Sequence, residues 1–346
     1  MTAVLVMDAE DIAADRRGWL ERRRRDGDGH WCVTASEIAS VCNVAPRAFD
    51  GPYGLYWKKR RGQESGDSDE MRRGRAVEPI VLEEFAESHP GLAVLPGGLY
   101  ARADAPWMLA TLDGQAILAD TMALLGYSHV PLLALREVPE EEIATVQVKT
   151  SIPTEGWGWE EDTAEVPVHV YAQVLWEMHV RGAVRAYVVV KFMASWRTNS
   201  YVVDLDAAAK DQIAWMVERA QWFTGLLAAG TPPPVDYRPS TTDALRRVYD
   251  GIEDREVRVP WRLALRYRAG LRAHNRVEDR RTLVKNLLLE RAGNAGTVVA
   301  VDPATGRAVT VASRTAGPRK EKIIPAAERE ERLNPSGWAR APRESE

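Results

Sequence analysis

The sequence predicts an α/β protein, a central mixed sheet flanked by helices and followed by a helical C-terminal extension. Three observations carry this. Between residues 70 and 191 the hydrophobic periodicity runs helix, strand, strand, strand, helix, strand. The stretch VRAYVVVKFM (184–193) is almost wholly apolar, as a strand covered on both faces must be. The triple proline of GTPPPVD ends the alternation, and Arg- and Glu-rich helical patterns follow it.

Taken in order, residues 8–25 read as one charged helix, closed by the turn DGDGHW. TASEIASVCNV begins with a capping residue, Thr34 or Ser36, ahead of Glu37 and an apolar stripe of Ile38, Val41 and Val44. Residues 68–89 form a strong helix stopped by Pro90-Gly91, with Met71, Val77, Ile80 or Val81, and Phe85 on its apolar face. GGLYAR and WMLATLDGQAIL read as neighbouring strands, and 119–143 as a long connection or an inserted hairpin. ATVQVKTS (144–151) is the next strand, 152–166 a Gly/Trp-rich loop, and 167–182 a helix with Pro167 in its first turn and Gly182 at its end. SYVVDLD and a helix over 206–229 complete a first domain, 1–232. A second region, 236–314, holds helices near 240–253 and 258–292 and a small hairpin; 315–346 reads as a charged, disordered tail.

Composition narrows the function classes. The chain has 346 residues and a formal net charge of −4, so any nucleic-acid surface must be local rather than chain-wide. Two cysteines, Cys32 and Cys42, are too few for a disulfide framework or a four-thiolate cluster, and both read as buried thiols. No leader or membrane span is expected, which makes the cytoplasm the default location. No Ser-His-Asp order, phosphate-binding glycine loop or zinc spacing occurs.

The candidate chemistry lies on the strands and helices of the first domain. Glu78 sits on the 68–89 helix. Asp113 follows WMLATL and precedes Gly114. Gln147 and Lys149, two apart, project from one face of their strand, and Gln173 lies on the helix that follows. Each alone is ordinary: a D-G pair makes a turn, a Q-x-K strand can be a solvated face, a helical Gln can be a satisfied buried amide. Together they suit phosphodiester hydrolysis. Mg²⁺, with Mn²⁺ able to replace it, takes oxygen ligands, which Asp113, the Gln147 side-chain carbonyl, the Val148 backbone carbonyl and Glu78 can provide. Lys149 would orient the attacking water and offset transition-state charge.

In this order and context the motifs resemble those of the PD-(D/E)XK nuclease superfamily, and within it the YqaJ-type viral recombinases, the bacteriophage lambda exonuclease-like family. WCVTASEIASV resembles the family's ITAS helix start, MRRGRAVEPIVLEEF its G-x-x-x-E-P helix, MLATLDG its A-x-P-D-G motif and VQVKTS its E-x-K motif, over roughly residues 15–230. The resemblance implies a restriction-endonuclease-like core. It makes Asp113 and Gln147 metal ligands, Lys149 the catalytic lysine, Glu78 the helix acid near the metal and Gln173 a neighbour of the active site. Ser36, beside Thr34, matches a position that holds a substrate 5′-phosphate, helped by an arginine among Arg22, Arg23, Arg24 and Arg25; Arg25 is adopted as the candidate, with Arg75 as a further DNA contact. Asp104 matches a further upstream acid. The implied function is a metal-dependent exonuclease digesting linear double-stranded DNA from the 5′ end in phage-type recombination, beside a single-strand annealing protein, with a trimeric ring as the family's assembly. The alternatives are a RecB- or Cas4-like single-strand nuclease and a catalytically decayed DNA-binding protein. Two departures stand out: Leu112 replaces the usual proline, and Gln147 replaces the usual glutamate, which removes one negative charge.

Other features keep two readings. The arginine run 22–25 is a solvated helix end or a phosphate contact. Trp157 and Trp159 stack on bases or plug a loop onto the core. His169 and His179 read as packing or surface residues, and Tyr171 and Trp176 as core rather than site.

Overall fold

The computed structural model describes residues 3–62, 68–124, 138–151, 156–157, 165–301, 306, 308–315 and 322–325. It divides into two compact units, with the boundary at Asp250/Gly251.

The first unit is built on strands β1 (Ala3–Asp8), β2 (Val33–Thr34), β3 (Leu92–Arg102), β4 (Ala105–Leu118), β5 (Ala144–Ser151), β6 (Arg185–Phe192) and β7 (Arg197–Asp204). They form one sheet in the order β1-β3-β4-β5-β6-β7, with β2 pairing off this path onto β4. The sheet is mixed: β5–β6 and β2–β4 are parallel and the other pairs antiparallel. The helices are α1 (Ala9–Ala14), α2 (Arg16–Arg24), α3 (Ala35–Val41), α4 (Pro52–Arg61), α5 (Asp69–Ser88), α6 (Ala119–Leu124), α7 (Val168–Arg181), α8 (Ala207–Ala229) and α9 (Pro239–Val248). The α/β expectation holds, with helices on both faces of a mixed sheet.

Strand alternation decides what each face receives. Val146 and Val148 of β5 pack with Val81 and Phe85 of α5 and with Val189 of β6. The opposite face meets the larger core, where Ile38, Trp176, Val188, Tyr201 and Phe223 are buried. Gln147 and Lys149 therefore belong to the side of α7 rather than of α5. The helices start and stop where the sequence provides caps. The Ser68 side chain accepts from Met71 N at the start of α5, and Asp206 from Ala209 N at 2.7 Å at the start of α8. Gly182 and Gly230 end α7 and α8 at φ 80° and 70°. Glu37 accepts from Thr34 N at 3.0 Å, so Thr34 is the cap of α3.

Several local expectations are corrected. The single helix over 8–25 is two, because Asp15 closes α1 and its side chain then accepts from Gly18 N at 2.8 Å to open α2. Residues 3–8 form an edge strand on β3 that was not expected. Helix α4 was not expected, although Gly51, Pro52 at its first position and Gly62 punctuate it. The 119–143 segment, expected to be a long connection or an inserted hairpin, contains α6, and its residues 125–137 lie outside the described residues. Past the triple proline the chain stays on the first unit: the buried Arg238 guanidinium donates to Asn43 Oδ1 and to the carbonyls of Pro46 and Ala45, and α9 follows.

The second unit holds α10 (Trp261–Ala292) and a three-stranded sheet of β8 (Thr297–Val301), β9 (Ala308–Thr315) and β10 (Lys322–Pro325), in the order β10-β9-β8. Strand β10 lies in the segment expected to be disordered; its pairing with β9 turns the hairpin into a sheet. No residue of α10 is buried. Among the described residues no helix is long and apolar enough to cross a membrane.

Candidate active site

The site begins where two strands part. β4 and β5 pair only over Gly114–Ala116 and Ala144–Val146. Beyond that point the backbone N–H of Val148 has no strand partner on this side, and the Asp113 carboxylate takes it instead: Val148 N donates to Asp113 Oδ2 at 2.8 Å. Gly114 permits the close approach of α5 at this fork, because a Cβ there would meet Leu82 Cδ2 at 3.0 Å and Leu95 O at 3.3 Å.

A chain of side chains runs from the fork to α7. Gln147 Nε2 donates to Asp113 Oδ2 and, at 3.1 Å, to Val148 O. Gln173 Nε2 donates to Gln147 Oε1 at 2.8 Å, and Lys149 Nζ donates to Gln173 Oε1 at 3.0 Å. The structure thus gathers Asp113, Gln147, Lys149 and Gln173 into one hydrogen-bonded group. Both bonds to Asp113 fall on Oδ2, which leaves Oδ1 for a ligand.

Glu78 approaches from α5. Burial, with the charge of Asp113 beside it, pushes Glu78 up to about 7 against the pull of Lys149 and Arg75. Burial also raises Asp113 above the usual carboxylate range, opposed by Lys149 and by the bonds from Val148 and Gln147. One further carboxyl group was missed: Glu177, one helical turn beyond Gln173, receives Gln173 Nε2 at 2.8 Å. Burial, then Asp113, pushes it up to about 8. Its spacing from Gln173 was the available signal, because residues four apart share a helix face.

The oxygens fit a hard divalent cation. Asp113 Oδ2 and Val148 O both accept from the Gln147 nitrogen, which brings a carboxylate and a carbonyl oxygen together. Among the described residues no three His, Cys, Asp or Glu side chains gather closely enough to hold a metal by themselves, so a cation here would need neutral oxygens as well.

A second polar group lies on α2 and α3. Arg23 Nη2 donates to Ser36 Oγ at 2.5 Å and to Thr34 Oγ1 at 3.2 Å, and its guanidinium lies 4.4 Å from the Trp19 ring centroid. Trp19 Nε1 donates to Thr111 Oγ1 at 3.2 Å, two residues before Asp113 on the same strand face. Of the four arginines it is Arg23 that reaches Ser36. Arg25, the adopted candidate, turns to the Gly29 carbonyl and lies over Trp31, while Arg24 donates to the Lys59 and Arg60 carbonyls that end α4. Arg75 is exposed near Glu78.

The remaining candidates fall elsewhere. Asp104 pairs with Arg102 in an exposed turn nine residues before Asp113, about 30 Å away along an extended strand, too far to join the group. Trp157 is buried against Phe192 and Tyr201 and plugs the core; Trp159 lies outside the described residues. His169 and His179 are held down to about 4 mainly by burial, and Cys32 and Cys42 are buried free thiols.

A family profile described as YqaJ-like viral recombinase domain matches residues 18–184. No curated protein sequence matches the chain significantly. Among solved structures, an alkaline exonuclease (LHK-Exo) from Laribacter hongkongensis aligns with a TM-score of 0.39 at 14% identity, over 67% of this chain and 98% of that one. A phage-related exonuclease from Haemophilus somnus 129PT aligns with a TM-score of 0.39 at 13% identity, over 58% of this chain and 96% of that one.

Proposed function

We propose, from the match of residues 18–184 to the YqaJ-like viral recombinase domain, that this protein is a metal-dependent DNA exonuclease acting 5′ to 3′ on linear double-stranded DNA. The observation that carries the reading is the hydrogen-bonded group of Asp113, Gln147, Lys149 and Gln173 at the fork between β4 and β5. Mg²⁺ or Mn²⁺ would be held by Asp113, the Val148 carbonyl and the second lone pair of Gln147 Oε1, with Glu78 beside them, and would polarise the scissile phosphate and make water a better nucleophile.

The chain's own residues do the rest. Lys149, fixed by Gln173 Oε1, keeps its ammonium where charge builds on the phosphate, and such a preorganised cation is worth more in a dry site than in water. Arg23 and Ser36 offer a guanidinium and a hydroxyl to a terminal 5′-phosphate, a charge-assisted contact that gives the enzyme a preference for ends. Trp19 keeps Arg23 in register with the Asp113 strand. A single-strand annealing protein as partner, and a ring of copies around DNA, belong to the same proposal.

The test is digestion of linear duplex bearing a 5′-phosphate, with Mg²⁺ and with chelator. Nucleotide release that needs the metal and a free end is expected. Release from a closed circle would make the protein an endonuclease, and no release in Mg²⁺ or Mn²⁺ would leave only a DNA-binding role.

A further inference from the structure

Glu177 is fully buried, at 0% exposure, on a helix whose flanking residues Leu175, Trp176 and Met178 are buried and apolar. Gln173 serves its Oε1, but its Oε2 is buried with no partner among the described residues. A buried carboxylate oxygen without a donor weakens a fold, and packing alone would select a hydrocarbon side chain here. The surrounding charges are also unbalanced. Asp113, Glu177 and, at the edge, Glu78 are three acids set against Lys149, with Arg75 near Glu78, so acidic groups outnumber basic ones here. The strand position that faces Asp113, residue 147, carries an amide and contributes no charge.

We propose that Glu177 supplies the carboxylate charge that position 147 lacks, as a positioning residue acting on a cation at Asp113 and Val148 through Gln173 and through its own charge. The inference rests on the metal-dependent reading above. Gln173 transmits it. A carboxylate can only accept, so Gln173 turns its nitrogen to Glu177 and Gln147, which leaves its oxygen to hold Lys149. An amide at 177 could face Gln173 either way and would no longer fix that order.

Calorimetric titration of the full chain with Mn²⁺ alone, together with melting in chelator, tests this. Glu177→Gln is expected to weaken Mn²⁺ binding by about tenfold or more, because a charge is lost in a low-dielectric site. The same variant should melt at or above the native chain in chelator, since an amide replaces a buried acid that must hold a proton when no cation is near. Adding Gln147→Glu to Glu177→Gln moves the charge to the strand and should restore Mn²⁺ affinity to within about threefold of native. Native-like Mn²⁺ binding by Glu177→Gln overturns the inference and leaves the nuclease reading standing. Weakened binding that Gln147→Glu does not restore, or a lower melting point in chelator, marks Glu177 as structural and overturns it equally. A native chain that binds no Mn²⁺ overturns both.

Discussion

Two lysines on adjacent parallel strands mark two different kinds of buried polar cluster. Lys191 on β6 is 2% exposed and donates to both oxygens of Glu84, at 2.7 and 2.9 Å, while Thr198 donates to the same carboxylate and Trp196 covers the ammonium. One positive and one negative charge meet there, and Glu84 falls below the usual carboxylate range because Lys191 and Thr198 donate to it. Among the described residues Lys149 on β5 pairs with no carboxylate; its ammonium donates to the Gln173 amide oxygen. Around it three carboxyl groups, Glu78, Asp113 and Glu177, are all raised, with burial as the first cause in each. The Lys191 cluster is complete and holds the sheet to α5. The Lys149 cluster holds more acidic than basic groups, the imbalance on which the proposed metal-dependent reading rests.

Substitutions sharpen that contrast in order of effect. Asp113→Asn keeps the shape at the fork and removes the charge. Nuclease turnover should fall by roughly 100- to 1,000-fold, measured under saturating DNA and Mg²⁺. Lys191→Met should cost about 2 kcal/mol in denaturant unfolding, a buried pair broken but discounted because water reaches the partly exposed Glu84. Arg23→Ala should raise KM about tenfold for ends bearing a 5′-phosphate and much less for 5′-hydroxyl ends, so the ratio of the two rates measures its phosphate contact. A further effect is on pH. Glu78 and Glu177 lie above the ordinary carboxyl value in the folded chain, so the folded state holds protons that the unfolded chain has already released. Stability of the metal-free protein should therefore fall as pH rises. His169 and His179, held down, push the other way below about 6.5, so the decline shows cleanly between about pH 6.5 and 8. Added Mg²⁺ should flatten it.

The strand-borne half of the site was legible because a period of two leaves no choice: Gln147 and Lys149 must share a face, and Asp113 next to Gly114 must mark a strand irregularity. The helix-borne half was only half legible. Gln173 stood out as an amide in an apolar helix, whereas Glu177 reads like any helical glutamate until the packing of Trp176 and Met178 shows that its face has no solvent. Arg23 could not be chosen from four consecutive arginines by spacing. The phase of α2 depends on the break at Asp15, and that break is a capping interaction invisible to hydrophobic periodicity. Helix α4 escaped for a related reason: it mixes buried Tyr53, Leu55 and Tyr56 with a buried Lys59 that pairs with Glu37, and so shows no clean stripe. β10 went unread because a four-residue strand flanked by charged residues carries almost no pattern of its own.

The central claim is that the Lys149 cluster is reactive and the Lys191 cluster is structural, and one paired measurement tests it. Lys149→Met and Lys191→Met are compared for nucleotide release from linear duplex per folded molecule and for melting temperature. The account predicts that Lys149→Met loses roughly 100-fold or more in rate with little change in melting. Lys191→Met should melt several degrees lower, about 2 to 4 °C per kcal/mol lost, and keep its rate. Native activity in Lys149→Met, or a rate lost in Lys191→Met while the chain stays folded, would contradict it.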